Sequence, residues 1–141
     1  MFPLQAGLDP FTALLGTAVG VAFVGAAVGI AFVVYRDAAA RGLGRGARLL
    51  VSVGAALFAV PVLVAYAVYA PRLGDRATPA TRGERVIGWL SASLLFGIIG
   101  GAVLSPPDPT AQLGGAATLF VAFAVIFYVP TFRRGPLVPD E

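Results

Sequence analysis

The sequence predicts an all-α fold, a four-helix transmembrane bundle forming one integral membrane domain over residues 1–141. Three observations predict it. Apolar residues make up 58% of the chain and charged residues only 12%, roughly half the charged share of a soluble domain. The apolar residues fall in four runs, about residues 11–35, 49–70, 86–104 and 111–132. A helical run of about 20 apolar residues crosses the hydrocarbon core of a bilayer. The charges fall between the runs.

Composition also limits the chemistry. Cys and His are absent. That excludes disulfides, thiolate or imidazole metal sites and Cys- or His-based catalysis. No metal or other cofactor is expected. All ten basic residues are Arg, and the net charge is +3. In a membrane protein this marks cytoplasmic loops and anionic headgroups. Nucleic acid is not an expected partner, since no aromatic residues interleave the arginines as a stacking platform needs.

The first run opens at Asp9-Pro10, an N-cap followed by a proline at N1. No Lys or Arg precedes it, so it reads as a retained helix rather than a secretory signal. Gly16 and Gly20 form one small-xxx-small pair, Gly25 and Gly29 a second. Small residues let another helix approach closely. The four glycines are candidates for a packing face, against a helix of this chain or of a second copy.

A polar break carrying Arg36, Asp37, Arg41, Arg45 and Arg48 follows. It reads as a solvated turn, or as a site for anionic lipid or a partner. The second run holds Pro61 at its centre, a predicted kink. Pro71 ends it. The second break carries Arg72, Asp75, Arg76, Arg82, Glu84 and Arg85. Thr81 and Glu84 match a capping box, so the next helix is expected to start near Arg82. Ser93, Gly97 and Gly101 make another small-residue row in the third run.

Between the third and fourth runs lies Ser105-Pro106-Pro107-Asp108-Pro109-Thr110-Ala111-Gln112. Its prolines cannot continue a helix. Asp108-Pro109 repeats the cap-and-proline start signal. Tyr128, Pro130, Arg133 and Arg134 close the last run, and the tail, 135–141, reads as frayed.

No ionisable residue interrupts the four runs. Such residues mark proton relays and ion coupling. The acids scatter over different loops and suggest no acid–base pair. An enzyme is not expected.

The Pro-rich turn has a family likeness. Ala102 to Leu113, with Pro106, Pro107, Asp108 and Gln112, resembles the segment before the last span of the polytopic C subunit of the twin-arginine protein translocase. Phe58-Ala59-Val60-Pro61 resembles that family's Phe-Glu-x-Pro motif, with Ala59 in place of the acid. The family's N-terminal spans have no counterpart. The resemblance implies an export-related membrane protein, with the Pro-rich turn outside and the tail inside. Read without it, the turn is a helix stop and restart.

The expectation is a non-enzymatic assembly or accessory subunit of a membrane complex, in the narrower form a translocase-like export component. The alternative is a small oligomeric channel or solute transporter. Expected partners are the lipid bilayer and other membrane subunits or further copies. With four spans, six arginines fall on one side and four on the other. The expected location is the cell membrane with both termini cytoplasmic.

Overall fold

The computed structural model describes residues 9–133. Arg134 and the tail therefore lie outside the described residues. The described chain is helical. α1 spans Pro10–Ala40, α2 Arg45–Leu57, α3 Ala59–Tyr69, α4 Arg82–Leu104 and α5 Pro109–Tyr128. A 3-10 turn, Ala70–Leu73, extends α3, and a π-helical turn, Val129–Arg133, extends α5.

Three helices are long and apolar enough to cross a membrane: α1, α4 and α5 with its extension to Phe132. At 1.5 Å per residue, the 31 residues of α1 reach about 46 Å. Asp9 caps α1, accepting from the Thr12 amide at 2.6 Å, with Pro10 in the first turn. The far end closes on Gly42 at φ +83°. The Gly42 amide donates to Ala39 and the Leu43 amide to Ala38, the paired bonds of a Schellman stop.

The expected second span is not one continuous helix. It divides at Phe58 (φ −128°, ψ 57°) into α2, 13 residues, and α3, 11 residues. Pro61 lies in the first turn of α3, where a missing amide is tolerated. Had the helix run on, that proline would have lost its bond to Leu57 and crowded the Leu57 carbonyl. The predicted kink is therefore a full break. It turns the chain back, and Val62 packs beside Gly54. At about 20 and 16 Å, neither arm is long enough to cross a core of about 30 Å.

The consequence is topological. Tyr66 donates its hydroxyl to Asp37. The Arg41 guanidinium donates to the carbonyls of Ala70 and Gly74 at 3.1 and 2.8 Å. The end of α3 therefore lies at the same end of the bundle as the end of α1. The four-span bundle becomes three long helices and one apolar hairpin. The start of α1 and the end of α5 consequently lie at opposite ends of the bundle.

The core sits where the hairpin meets α1 and α4. Ala26, Ile30 and Val34 of α1, Ala55 and Ala59 of the hairpin, and Leu95 of α4 form it. α4 and α5 cross more closely. A Cβ at Gly97 would come within 2.8 Å of the Phe120 amide, and one at Gly101 within 2.5 Å of the Ala116 amide. Lipid gives helices no hydrophobic reason to associate, so such backbone approach carries the contact. Phe96 packs on Phe123 and Phe127 beside it.

Candidate functional site

The two ends of the bundle differ in charge. Every arginine among the described residues lies at the hairpin end. Four fall in residues 36–48 and four in 72–85, and the last is Arg133. The opposite end holds the acids Asp9 and Asp108, both helix caps.

At the arginine end the scattered acids come together. Asp37 accepts from Tyr66, from Arg41 Nε at 2.8 Å and from Arg76 Nη1 at 2.5 Å. Glu84 accepts from Arg36 Nε at 2.9 Å and from Arg76 Nη2 at 3.1 Å. Arg76 thus bridges two acids that lie 47 positions apart in the sequence, on α1 and α4. Asp37, Glu84, Arg76 and Arg41 are largely buried, whereas the Arg36 side chain is 54% exposed. The Ala77 amide donates to the Ala40 carbonyl at 2.7 Å, which ties the second polar segment down.

Buried charges persist when they are paired and hydrogen-bonded. Here both carboxylates are fully engaged as acceptors. The network acts as a clamp that holds the hairpin ends, α1 and α4 in register. Neither acid is held free for proton transfer. Among the described residues no three metal-ligating side chains lie together.

Beside the clamp lies a cavity of about 350 Å³. Its walls come from Val33 and Val34 of α1, Leu63 and Ala67 of α3, Trp89 of α4, and Pro130. Asp37, Arg41, Arg76, Glu84 and Arg85 line its polar side. Trp89 is fixed by its indole N–H, which donates to the Ala124 carbonyl at 2.7 Å, and by edge contacts with Tyr128 and Phe132. The Nε and Nη2 of Arg85 are shielded from solvent and bonded to nothing among the described residues.

The residues singled out by sequence fall in three places. In α1, only Gly29 of the four glycines packs within the chain, against Ser91; nothing lies within 4 Å of a Cβ at Gly16, Gly20 or Gly25. They do not form one row. Gly25 stands five positions after Gly20, a turn of about 140°. The intramolecular face of α1 is instead Ala26, Ile30, Val34 and Ala38. Ser93, Gly97 and Gly101 face the α4–α5 crossing or lie buried beside it, the Ser93 hydroxyl donating to the Trp89 carbonyl. At the turn, Pro106 and Pro107 separate the helices. Asp108 accepts from the Ala111 amide at 3.0 Å with Pro109 in the first turn, and the Gln112 amide donates to the Asp108 carbonyl. Pro61 sits just past the hairpin break.

Sequence reasoning missed the clamp because Asp37, Arg76 and Glu84 come from three separate polar segments. A partial signal was present. Arg41 stands four residues after Asp37, a helical ion-pair spacing, and Tyr66 is an isolated polar tip in an apolar run. Glu84 was read as half of a capping box. Thr81 does cap the Glu84 amide at 3.1 Å, but the Glu84 carboxylate turns to the arginines.

Three hydroxyls in the apolar helices donate within their own helix: Thr17 to Ala13, Ser52 to Leu49 and Thr118 to Gly114. No family model, curated protein or solved structure matches the chain.

Proposed function

We propose that the protein is a non-enzymatic membrane subunit that packs against another membrane helix. α1, α4 and α5 cross the cell membrane, and α2–α3 dips in as a re-entrant hairpin. The arginine end is cytoplasmic, because positive residues accumulate on that side. The N-terminal end of α1 is then outside and the C-terminal end of α5 inside.

The observation that carries this reading is the open glycine face in the outer half of α1. The hairpin's buried residues reach the core cluster that begins at Ala26. Beyond it, toward the N-terminus, a Cβ at Gly16 or Gly20 would meet nothing within 4 Å. A small-xxx-small pair left open in lipid is suited to close packing with a second helix. The partner is another subunit or a further copy of the chain. The hydroxyls of Thr17, Ser52, Ser93 and Thr118, each donating within its own helix, support this over a channel or solute carrier, which needs polar groups turned to a common path.

The narrower form of the reading is an export component similar to the translocase C subunit. Its support is the Ser105–Gln112 turn, which lies at the arginine-poor end and so outside in this orientation. The Phe58–Pro61 motif forms the hairpin break rather than the middle of a span.

Photo-crosslinking in native membranes tests the subunit reading. A crosslinking side chain at Gly20 is expected to capture protein. One at Val28, which is 62% exposed, is expected to capture lipid alone. Equal lipid-only products at both positions would remove the partner helix.

A further inference from the structure

The geometry points to the cavity beside the clamp as a binding site for the head group of an anionic phospholipid. The argument needs only that the protein is membrane-embedded, and it is independent of the partner helix proposed above.

Charge is the first ground. Three arginines, Arg41, Arg76 and Arg85, line the cavity against two acids, Asp37 and Glu84. Both acids are already engaged by Arg36, Arg41 and Arg76. Arg85 is the surplus cation. Its Nε and Nη2 are out of reach of water and have no acceptor among the described residues. A desolvated guanidinium without an acceptor is costly. The Arg48 Nε is also unbonded, but that guanidinium lies 5.4 Å from the centre of the Tyr35 ring, which supplies a cation–π contact. No aromatic ring among the described residues does the same for Arg85. A phosphate oxygen would accept from its fork in the geometry that arginine favours.

Shape and position supply the second ground. A volume of about 350 Å³ takes a phosphate with its glycerol and leaves no room for two acyl chains. On the same helix as the lining residues Leu63 and Ala67, Val64 and Val68 are 53% and 59% exposed and give the acyl chains apolar surface to follow. Trp89 and Tyr128, side chains typical of the membrane interface, place the cavity at headgroup depth. Basic pockets between membrane helices suit lipid head groups. The excess of positive charge favours a net-negative head. A choline head would add a cation among the arginines.

The test uses the full-length protein in mild detergent. Native mass spectrometry and melting curves are recorded with phosphatidylglycerol, phosphatidylcholine, glycerol phosphate and inorganic phosphate. Phosphatidylglycerol is expected to remain bound and to raise the melting temperature, and phosphatidylcholine to do so much less. Arg85→Gln is expected to weaken phosphatidylglycerol binding roughly tenfold or more. Arg45→Gln, at an exposed position outside the cavity, should leave binding unchanged. Ala67→Phe, which fills the cavity without altering charge, should weaken binding as well, and it carries the test if Arg85→Gln does not fold. Equal binding of both lipids, or phosphatidylglycerol binding that survives Ala67→Phe, would overturn the site. Displacement by glycerol phosphate or inorganic phosphate at matched concentration would make it a soluble-anion site and end the lipid assignment.

Discussion

The Arg41 guanidinium donates to the carbonyl of Ala70 at 3.1 Å, although the two stand 29 positions apart, with a long stretch of residues between them. Those residues include both arms of the hairpin. The bond therefore joins the place where the apolar chain leaves the arginine end to the place where it returns. This single contact changes the arginine distribution. Six against four, counted over four spans, becomes every described arginine at one end.

Labelling tests that topology. The chain has no cysteine, so single cysteines report cleanly. Gly44→Cys and Thr78→Cys, on either side of the hairpin, are expected to be protected together from an impermeant reagent outside the cell. Thr110→Cys is expected to label. Opposite behaviour of positions 44 and 78 would restore the continuous second span.

Arg76 is the centre of the clamp, and its loss should be felt more than that of Arg36. Removing one partner of a buried ion pair costs about 3–5 kcal/mol. Each acid here keeps a second arginine, so Arg76→Gln is expected to cost less, about 2–3 kcal/mol. The Arg36 side chain is 54% exposed, and Arg36→Gln should cost below about 1 kcal/mol. Thermal melting of both variants checks the order. Equal losses would mean that Arg76 is not the bridge.

Glycines that look alike in sequence should respond with opposite signs. A Cβ at Gly101 would meet the Ala116 backbone, and backbone cannot swing aside. Gly101→Ala is expected to destabilise by about 1–3 kcal/mol through overpacking. Gly20→Ala meets nothing within 4 Å and gains up to about 1 kcal/mol of helix propensity. In the isolated chain it should melt at or above wild type. A loss at Gly20 in monomeric protein would mean that α1 packs elsewhere than here.

Much of the fold was legible because lipid simplifies the code. Long apolar runs became α1, α4 and α5, and the Asp-Pro pairs at 9–10 and 108–109 became capped helix starts. The hairpin was not legible. Its 25 residues have the length and hydropathy of a span, and Pro61 alone does not say whether a helix bends or breaks. That choice rests on tertiary contacts from Tyr66 and Arg41, which no local pattern carries. The clamp was illegible for the same reason, since Asp37 and Glu84 meet only after the hairpin has turned back. The two glycine pairs of α1 look alike by small-xxx-small spacing, but the turn between Gly20 and Gly25 puts them on different faces.

The cap of α1 should respond to acid. The Thr12 amide holds the Asp9 carboxyl below its ordinary value of 3.8. A carboxyl lowered on folding contributes stability above its unfolded pKa and loses it as pH falls through the folded one. The helix start should therefore loosen only below about pH 4. Asp9 is fully exposed, so the effect is local. Amide exchange at Thr12 is expected to rise with acid in wild type and to stay flat in Asp9→Asn. The same acid response in both would mean that the cap does not set it.

Asp108 poses the sharper question, because it lies in the turn that resembles the translocase subunit. Its geometry is that of a cap. The carboxylate accepts from the Ala111 amide at 3.0 Å, and Pro109 fills the position whose amide would be idle. A negative charge there also faces the positive end of the α5 dipole. Asn caps as well as Asp, whereas Ala does not. Asp108→Asn should therefore melt close to wild type, and Asp108→Ala should lose about 0.5–2 kcal/mol. A residue whose task is recognition or proton transfer would separate differently. Asn would leave the melting temperature intact and abolish partner capture from position 20. Measured side by side, melting and crosslinking distinguish the two cases. Loss of crosslinking in Asp108→Asn at unchanged melting temperature would end the purely structural reading and favour the export component.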